Sequence, residues 1–368
     1  MLLSPKFKRN FRRVLPVALI WLIFGAVFVL IEKGLLADST EYPATGTTYD
    51  FWASFPRVVI GSFIGGLLIG SIEVFFLNRL FRRQRFGVKL IFKTFIYVIL
   101  ICTFLIFLGL AINSAILGLP MNDPSVKKNV AYFVIDFAFW STAIYIGIIV
   151  LVSLFVLEMG DNLGQGVLKN FITGKYHNPI EETRIFMFLD MKSSTTIAEH
   201  LGHVKYFKLL RAYYATMTNA VVRSSGEVYQ YVGDEIVLSW TLRNGLRNQN
   251  CIRCFFNIKK QFRKRAAWFE KNFGVVPDFK AGYHFGDVTT GEIGEVKKEI
   301  LFTGDVLNTT ARIQSLCNTY NADLLISEKL LSPLKLPENR YTVTNMGEQE
   351  LRGKDLKVRL FSIEEKRS

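Results

Sequence analysis

The chain has 368 residues, half of them hydrophobic, and its 45 Lys+Arg against 31 Asp+Glu give a net charge of +14. That length admits two domains, and that apolar share excludes a wholly soluble globular chain. Nucleic acid is not the implied partner of the basic excess: no RNA- or DNA-binding motif accompanies it, and much of it borders apolar segments, where anionic lipid headgroups suffice.

The apolar residues concentrate before residue 160. Four stretches, approximately Val14–Ile31, Val58–Leu77, Leu90–Ala111 and Val130–Leu157, are each of the length that a membrane-spanning helix needs, about 20 residues. A cleaved signal peptide does not suit the first, since three more follow and no small-residue cleavage site is evident. Lys6, Lys8, Arg9, Arg12 and Arg13 precede the first span, and Arg79, Arg82, Arg83, Arg85 and Lys89 fill the connection between the second and third. Both segments are cytoplasmic under the positive-inside bias. The expected arrangement is a multi-pass protein of the cell (inner) membrane, with the N-terminus and everything after the fourth span in the cytoplasm.

Gly61, Gly65, Gly66 and Gly70 in the second span form small-xxx-small pairs, which allow close helix approach within one bundle or between two chains. Glu73 and Asp136 are ionisable groups in or near apolar spans. With no relay evident for either, both are expected at headgroup depth or facing a polar bundle interior. From Glu158 to Tyr176, apolar Leu163, Val167, Leu168 and Phe171 recur at helical spacing, while the glycines among them weaken a helix. A short paired helix that relays rearrangement and a plain linker both fit. The expected organisation is therefore a four-span domain over 1–157, a juxtamembrane segment over 158–179 and a second domain over 180–368.

That second domain alternates strand and helix. A strand over Arg184–Asp190 leads to helices over Ser193–Leu201 and His203–Ser224, a hairpin about Gly233-Asp234 and a long basic helix over Gly245–Phe273. Then come a strand at Phe279–Phe285, an acidic connection through Gly291-Glu292-Ile293-Gly294, a turn at Thr303–Asn308 and a helix through Arg312 to Thr319. A strand at Asp323–Ser327 and terminal strands to Ile363 complete it. Cys251 and Cys254 form a lone CxxC without a second pair or histidines, so packed, reduced thiols are expected rather than zinc.

Three segments carry chemistry. Arg184-Ile185-Phe186-Met187-Phe188-Leu189-Asp190 is an apolar run that ends in an acid and then turns hydroxylic through Lys192-Ser193-Ser194-Thr195. The hairpin Tyr231-Val232-Gly233-Asp234-Glu235-Ile236 presents a second acid at its tip. Two carboxylates at neighbouring strand ends suit a pair of Mg²⁺ ions, which take oxygen ligands and complete their shell from substrate phosphates. Each acid alone is equally a cap or a turn residue. In the third segment, Gly304-Asp305-Val306-Leu307-Asn308-Thr309-Thr310-Ala311-Arg312, an amide and a guanidinium share one helical face, as suits a phosphoryl group gaining charge.

Taken in order, these segments resemble the catalytic domain of class III nucleotidyl cyclases over roughly residues 180–365. The resemblance implies an α+β, ferredoxin-like (βααββαβ) domain behind the membrane α-helical domain of four transmembrane helices. It implies that Asp190 and Asp234, with the backbone carbonyl of Met191, hold two Mg²⁺ or Mn²⁺ ions. Backbone N–H groups of Lys192, Ser193, Ser194 and Thr195 would face the phosphates. Asn308 would orient the ribose, Arg312 would stabilise the transition state, and Arg352 in Leu351-Arg352-Gly353-Lys354 would bind the β- and γ-phosphates. In this family the aspartates of one protomer face the asparagine and arginine of the other, so a homodimer is implied.

The base-reading positions are Gln230 and Leu301, and neither matches the family's usual adenine or guanine pairs. Gln230 can donate and accept, whereas Leu301 offers no side-chain hydrogen bond. ATP is the expected substrate because it is the commoner one among bacterial-looking membrane members; GTP and pyrimidine triphosphates stay open. A catalytically silent receptor or scaffold would not need Asp190, Asp234, Asn308 and Arg312 together. A diguanylate cyclase, which Val232-Gly233-Asp234-Glu235 also brings to mind, expects a second glycine before the acid and lacks the Asn308/Arg312 helix.

Overall fold

The protein is described by a computed structural model over residues 5–37, 39–41, 48–81, 84–350 and 357–366. Its contacts divide into two compact units that meet in sequence between Ile172 and Thr173.

The N-terminal half is helical: α1 (Pro5–Leu36), α2 (Phe51–Ile72), the one-turn α3 (Asn78–Leu80), α4 (Phe86–Leu117), α5 (Pro124–Ile135), α6 (Phe137–Leu163) and α7 (Gln165–Thr173). Four segments, Arg9–Leu36, Phe51–Leu77, Phe86–Leu117 and Phe137–Leu163, are long and apolar enough to cross a membrane. The fourth begins later than its hydropathy suggests. Apolar residues flank Asp136 on both sides, but its carboxylate accepts the Ala138 N–H at 2.7 Å and its own backbone is extended, so it caps α6 instead of continuing α5. Asp136 is thus a helix cap.

The glycine face of α2 is largely a seam inside the bundle. A Cβ at Gly66 would lie 2.8 Å from the Ala18 Cα, and one at Gly70 3.2 Å from Val14, so α1 approaches on backbone. Gly61 meets nothing within 4 Å. Between α2 and α3 the helix widens to a π-turn over Glu73–Leu77. Glu73 there is buried and paired: Lys93 Nζ lies 2.5 Å from it, and Tyr97 donates to it at 3.1 Å. Lys93, itself 0% exposed, also reaches Glu158 at 2.9 Å, and Glu158 takes Lys89 at 3.1 Å. Glu73 therefore faces a polar bundle interior made by three helices. Helix α6 runs on through Glu158 to Leu163 and stops at Gly164 (φ 92°) before α7.

The C-terminal unit is a mixed sheet with helices on both faces. Its elements are β1 (Ile180–Met191), α8 (Ser194–Leu201), α9 (His203–Arg223), β2 (Glu227–Val232), β3 (Glu235–Thr241), α10 (Leu242–Leu246), α11 (Asn250–Lys264), α12 (Ala266–Phe273) and β4 (Phe279–Ile293). After these come β5 (Glu299–Thr303), α13 (Asp305–Ser315), β6 (Leu324–Ser327), α14 (Glu328–Leu334), β7 (Tyr341–Gln349) and β8 (Val358–Glu365). The strand order is β2-β3-β1-β4-β6-β8-β7, with β5 paired to the far end of β4. The first four strands, with α8 and α9 between β1 and β2, a tight turn between β2 and β3 and α10 to α12 before β4, form the expected βααββαβ core, and β6, β8 and β7 extend it.

Strand alternation sorts β1 between two cores. Ile185, Met187 and Leu189 join Leu209, Tyr213 and Met217 of α9 and Phe255 and Ile258 of α11. Phe186 points the other way, to Val237, Val288 and Val306 at the start of α13. Each such fully buried apolar side chain contributes about 1.5–3 kcal/mol. Cys251 and Cys254 lie in the first core, where burial pushes their thiols up to about 12 and keeps them protonated.

Two elements differ from the expected order. The basic helix is broken by a turn with left-handed Asn248 and Gln249, and again at Arg265, whose guanidinium sits 4.3 Å over the Trp268 ring. The stretch Gly291–Ile293, expected as a connection, continues β4 and pairs with β5. Gly291 reads as turn chemistry in sequence, but here its bare backbone admits Pro179, 3.4 Å from where a Cβ would stand.

Candidate active site

Asp190 stands near the end of β1 on the α13 side of the sheet, directly across from Lys280 of β4 in the register. On its other side the β1–β3 register ends at Leu189↔Ile236, so the next step sets Asp190 opposite Glu235. Asp234 follows in the β2–β3 turn. Gly233 holds φ 61°, the positive value that a two-residue hairpin needs at its first central position. Tyr214 of α9 braces that turn: its hydroxyl donates to the Gly233 carbonyl at 2.8 Å and lies 3.2 Å from that of Glu235. Tyr206, about two α9 turns earlier, hydrogen-bonds the Ser194 side chain and feels the Asp234 charge.

Asp190 and Asp234 are hydrogen-bonding and charge neighbours. Burial, and then the Asp234 carboxylate, raise the Asp190 pKa, against the pull of Lys280 and Gln314. Burial and the same two aspartates push Glu235 up to about 7. Acids that resist ionising together mark a place that lacks positive charge. Among the described residues no group of three or more His, Cys, Asp or Glu side chains has metal-binding spacing. A two-carboxylate site open to outside ligands is what Mg²⁺ or Mn²⁺ bound with a triphosphate requires, so these residues fit such ions.

The rest of the expected set divides. Met191 closes the β1–β4 ladder opposite Phe279, with its side chain buried. Lys192 departs from expectation: its N–H donates to the Asp278 carbonyl at 2.9 Å and its ammonium pairs with Asp278 at 3.0 Å and with Asp323. The strand ladder thus extends two residues past the acid and uses the donor. Ser193 is left-handed (φ 55°) and its carbonyl accepts from Ile197, opening α8. The first-turn N–H groups of Ser194 and Thr195 have no intrahelical partner.

Helix α13 has two faces. Val306, Thr310, Ile313 and Gln314 are buried against the sheet, where a Cβ on Gly282 would stand 2.3 Å from the Gln314 nitrogen. Gln314 donates to Asp190 Oδ2 at 3.3 Å. Asn308 is exposed and Arg312 half-buried on the opposite face, and among the described residues neither has a side-chain partner. One chain therefore gathers Asp190, Asp234, Lys280 and Gln314, and holds Asn308 and Arg312 outward.

Gln230 is exposed on β2, and Leu301 is half-buried on β5 opposite Gly291. Their strands are tied by the neighbouring residues: the Phe302 N–H donates to the Tyr229 hydroxyl at 3.3 Å, with ring centroids 4.8 Å apart. Arg352 lies outside the described residues. Lys280, Gln314 and Tyr214 carry no motif. The one signal for Lys280 is a lysine inside an apolar strand.

Residues 176–365 match the family model described as the adenylate and guanylate cyclase catalytic domain. The chain is 36% identical over 210 residues to adenylate cyclase 2 of Rhizobium meliloti (strain 1021), covering 57% of this chain and 58% of that one. It is 22% identical over 185 residues to an adenylate cyclase of Anabaena cylindrica, covering 48% of this chain and 36% of that one. It thus spans well under two thirds of either relative. The adenylyl cyclase CyaB from P. aeruginosa aligns with TM-score 0.45 at 17% identity, covering 52% of this chain and 97% of that one. With its motif residues at the strand ends and helix faces described above and the family model matched over half of its length, the chain belongs to the adenylate and guanylate cyclase catalytic-domain family.

Proposed function

We propose that this protein is a membrane-bound adenylate cyclase that converts ATP to 3′,5′-cyclic AMP and pyrophosphate at a homodimer interface. The observation that carries the proposal is the separation on α13: Gln314 of its inner face holds Asp190, while Asn308 and Arg312 of its outer face await a group that one chain does not supply. A second copy supplies it.

Asp190 and Asp234 would hold two divalent ions, Mg²⁺ or Mn²⁺. Bound there, such ions would lower the pKa of the ribose 3′-hydroxyl and offset the charge of the departing pyrophosphate. The donors at Ser194 and Thr195 meet phosphate oxygens at a helix start. Asn308 of the other protomer orients the ribose, and its Arg312 meets the charge that grows on the α-phosphoryl oxygens. The 3′-oxygen forms its bond to the α-phosphorus as the bond to pyrophosphate breaks, and Arg352 holds the leaving group. The 3′-hydroxyl proton is released to water. ATP is preferred over GTP because the relative at 36% identity is named an adenylate cyclase. Gln230 and Leu301 keep GTP and pyrimidine triphosphates as the second reading, since neither side chain is the family's usual base reader.

The four apolar helices would sit in the inner membrane, with anionic lipids at Lys8–Arg13 and the catalytic unit in the cytoplasm. Incubating the purified full chain with each of the four triphosphates and Mg²⁺ or Mn²⁺, with products identified by mass spectrometry, tests the proposal. Cyclic AMP as the main product supports it, another cyclic nucleotide corrects the base, and no cyclic product from any triphosphate refutes it.

A further inference from the structure

Among the described residues Lys280 is the one cation paired with Asp190, and the reaction outlined above assigns it no part. It stands in register with Asp190 on the neighbouring strand, and only 9% of it is exposed. Its ammonium lies 3.6 Å from Asp190 Oδ2 and donates to Asn318 Oδ1 at 3.0 Å. Gln314 donates to that same Oδ2, so two groups converge on one oxygen of Asp190, beside the Asp234 carboxylate.

The surroundings of Lys280 differ from those of nearby lysines. Lys192 and Lys259 each pair with both Asp278 and Asp323, so their charge is met by two acids. Lys280 is anchored by a neutral amide, and its charge is directed wholly at Asp190. An ammonium fixed there attracts the carboxylate and repels any other cation that approaches it.

We propose that Lys280 is a positioning residue that fixes Asp190 through Oδ2 and keeps the nucleotide-free site from binding divalent ions tightly. The triphosphate then brings the negative charge that lets metal and substrate enter together. The inference rests on the cyclase reading in one respect, that Asp190 and Asp234 are the metal ligands.

The test measures Mn²⁺ binding to the full chain without nucleotide, by electron paramagnetic resonance of the free ion, in wild type, Lys280→Met, Lys280→Arg and Asp190→Asn. Thermal unfolding of each runs in parallel. Lys280→Met should bind Mn²⁺ about tenfold more tightly, on the scale by which groups behind a metal ligand tune affinity. Lys280→Arg, which keeps the charge, should stay within about twofold of wild type. A lysine that merely closed the sheet would give the reverse, weaker Mn²⁺ binding together with a lower unfolding temperature. Unchanged or weaker binding in Lys280→Met, with binding lost in Asp190→Asn, overturns this inference and leaves the cyclase reading standing. Equal binding by Asp190→Asn and wild type removes the metal site and this inference with it. Should Lys280→Met not fold, Lys280→Gln carries the same expectation.

Discussion

Two clusters of charge, one buried and one half-buried, occupy the two halves of this molecule, and they are built differently. In the helical half, Glu73 and Glu158 are met by Lys93 and Lys89, with Tyr97 donating a further hydrogen bond. Acids and bases there are matched one for one. In the catalytic half, Asp190, Asp234 and Glu235 stand together, and among the described residues the one ammonium paired with any of them is that of Lys280, on Asp190; the pKa values of Asp190 and Glu235 are raised. A matched cluster is complete and holds helices together, whereas an unmatched one is waiting for a ligand.

Breaking each cluster should expose that contrast. Asp190→Asn or Asp234→Asn removes a ligand from the unmatched cluster, and turnover should fall by several kcal/mol of transition-state stabilisation, on the order of a thousandfold or more. Folding should survive, because like charges are relieved; activity near wild type in either variant would exclude the metal role. Lys93→Met is the reverse case. It leaves buried Glu73 without a cation and Glu158 with Lys89 alone, and should cost about 3–5 kcal/mol, read as thermal unfolding of the full chain in detergent. Replacing Glu73, Lys93 and Glu158 together by methionine should cost far less, about 1 kcal/mol. If the single change is no worse than the triple, the cluster is not a closed electrostatic unit.

In the proposed dimer a partner chain completes the unmatched cluster, which co-expression tests. Asp190→Asn and Arg312→Ala spoil opposite half-sites, so each homodimer should be nearly inactive. Heterodimers purified through two different tags carry one intact site and should regain about half of wild-type activity. No recovery in confirmed heterodimers would mean that each chain completes its own site. The smallest effect concerns the base. Gln230→Lys should favour ATP and Gln230→Glu should favour GTP, by about 1–3 kcal/mol of discrimination at most. Unchanged substrate ratios in both would assign base reading to other residues.

The two clusters were unequally legible in the sequence. Asp190 and Asp234 stand out because each interrupts an apolar run at a strand end, a signal that depends on a few neighbouring residues. Lys280 does not, because it becomes a neighbour of Asp190 only through the β1–β4 register. The partners of Glu73 were hidden in the same way. Lys93 falls in the third apolar stretch and Glu158 just past the fourth, and hydropathy records neither which helices touch nor which faces meet. Asp136 shows the converse error. A hydropathy window runs across it, while its carboxylate makes a local cap that ends one helix and begins another. The hairpin, the helix of Asn308 and Arg312 and the order of the core strands depend on local pattern and were readable. The break at Asn248–Gln249 and the extension of β4 through Gly291 depend on what packs against them.

Helix α13 lies so close to β4 that a single methyl group at Gly282 would collide with its backbone. Its inner face touches Asp190 through Gln314, and its outer face bears the side chains offered to the other protomer. In the proposed dimer, the two active sites are then separated by the thickness of one helix with no slack beneath it. In that dimer, filling one site would press on the wall of the other. Cooperativity between the two, seen as a Hill coefficient away from one in the substrate dependence of the full chain, would follow from that seat alone, with no domain motion required.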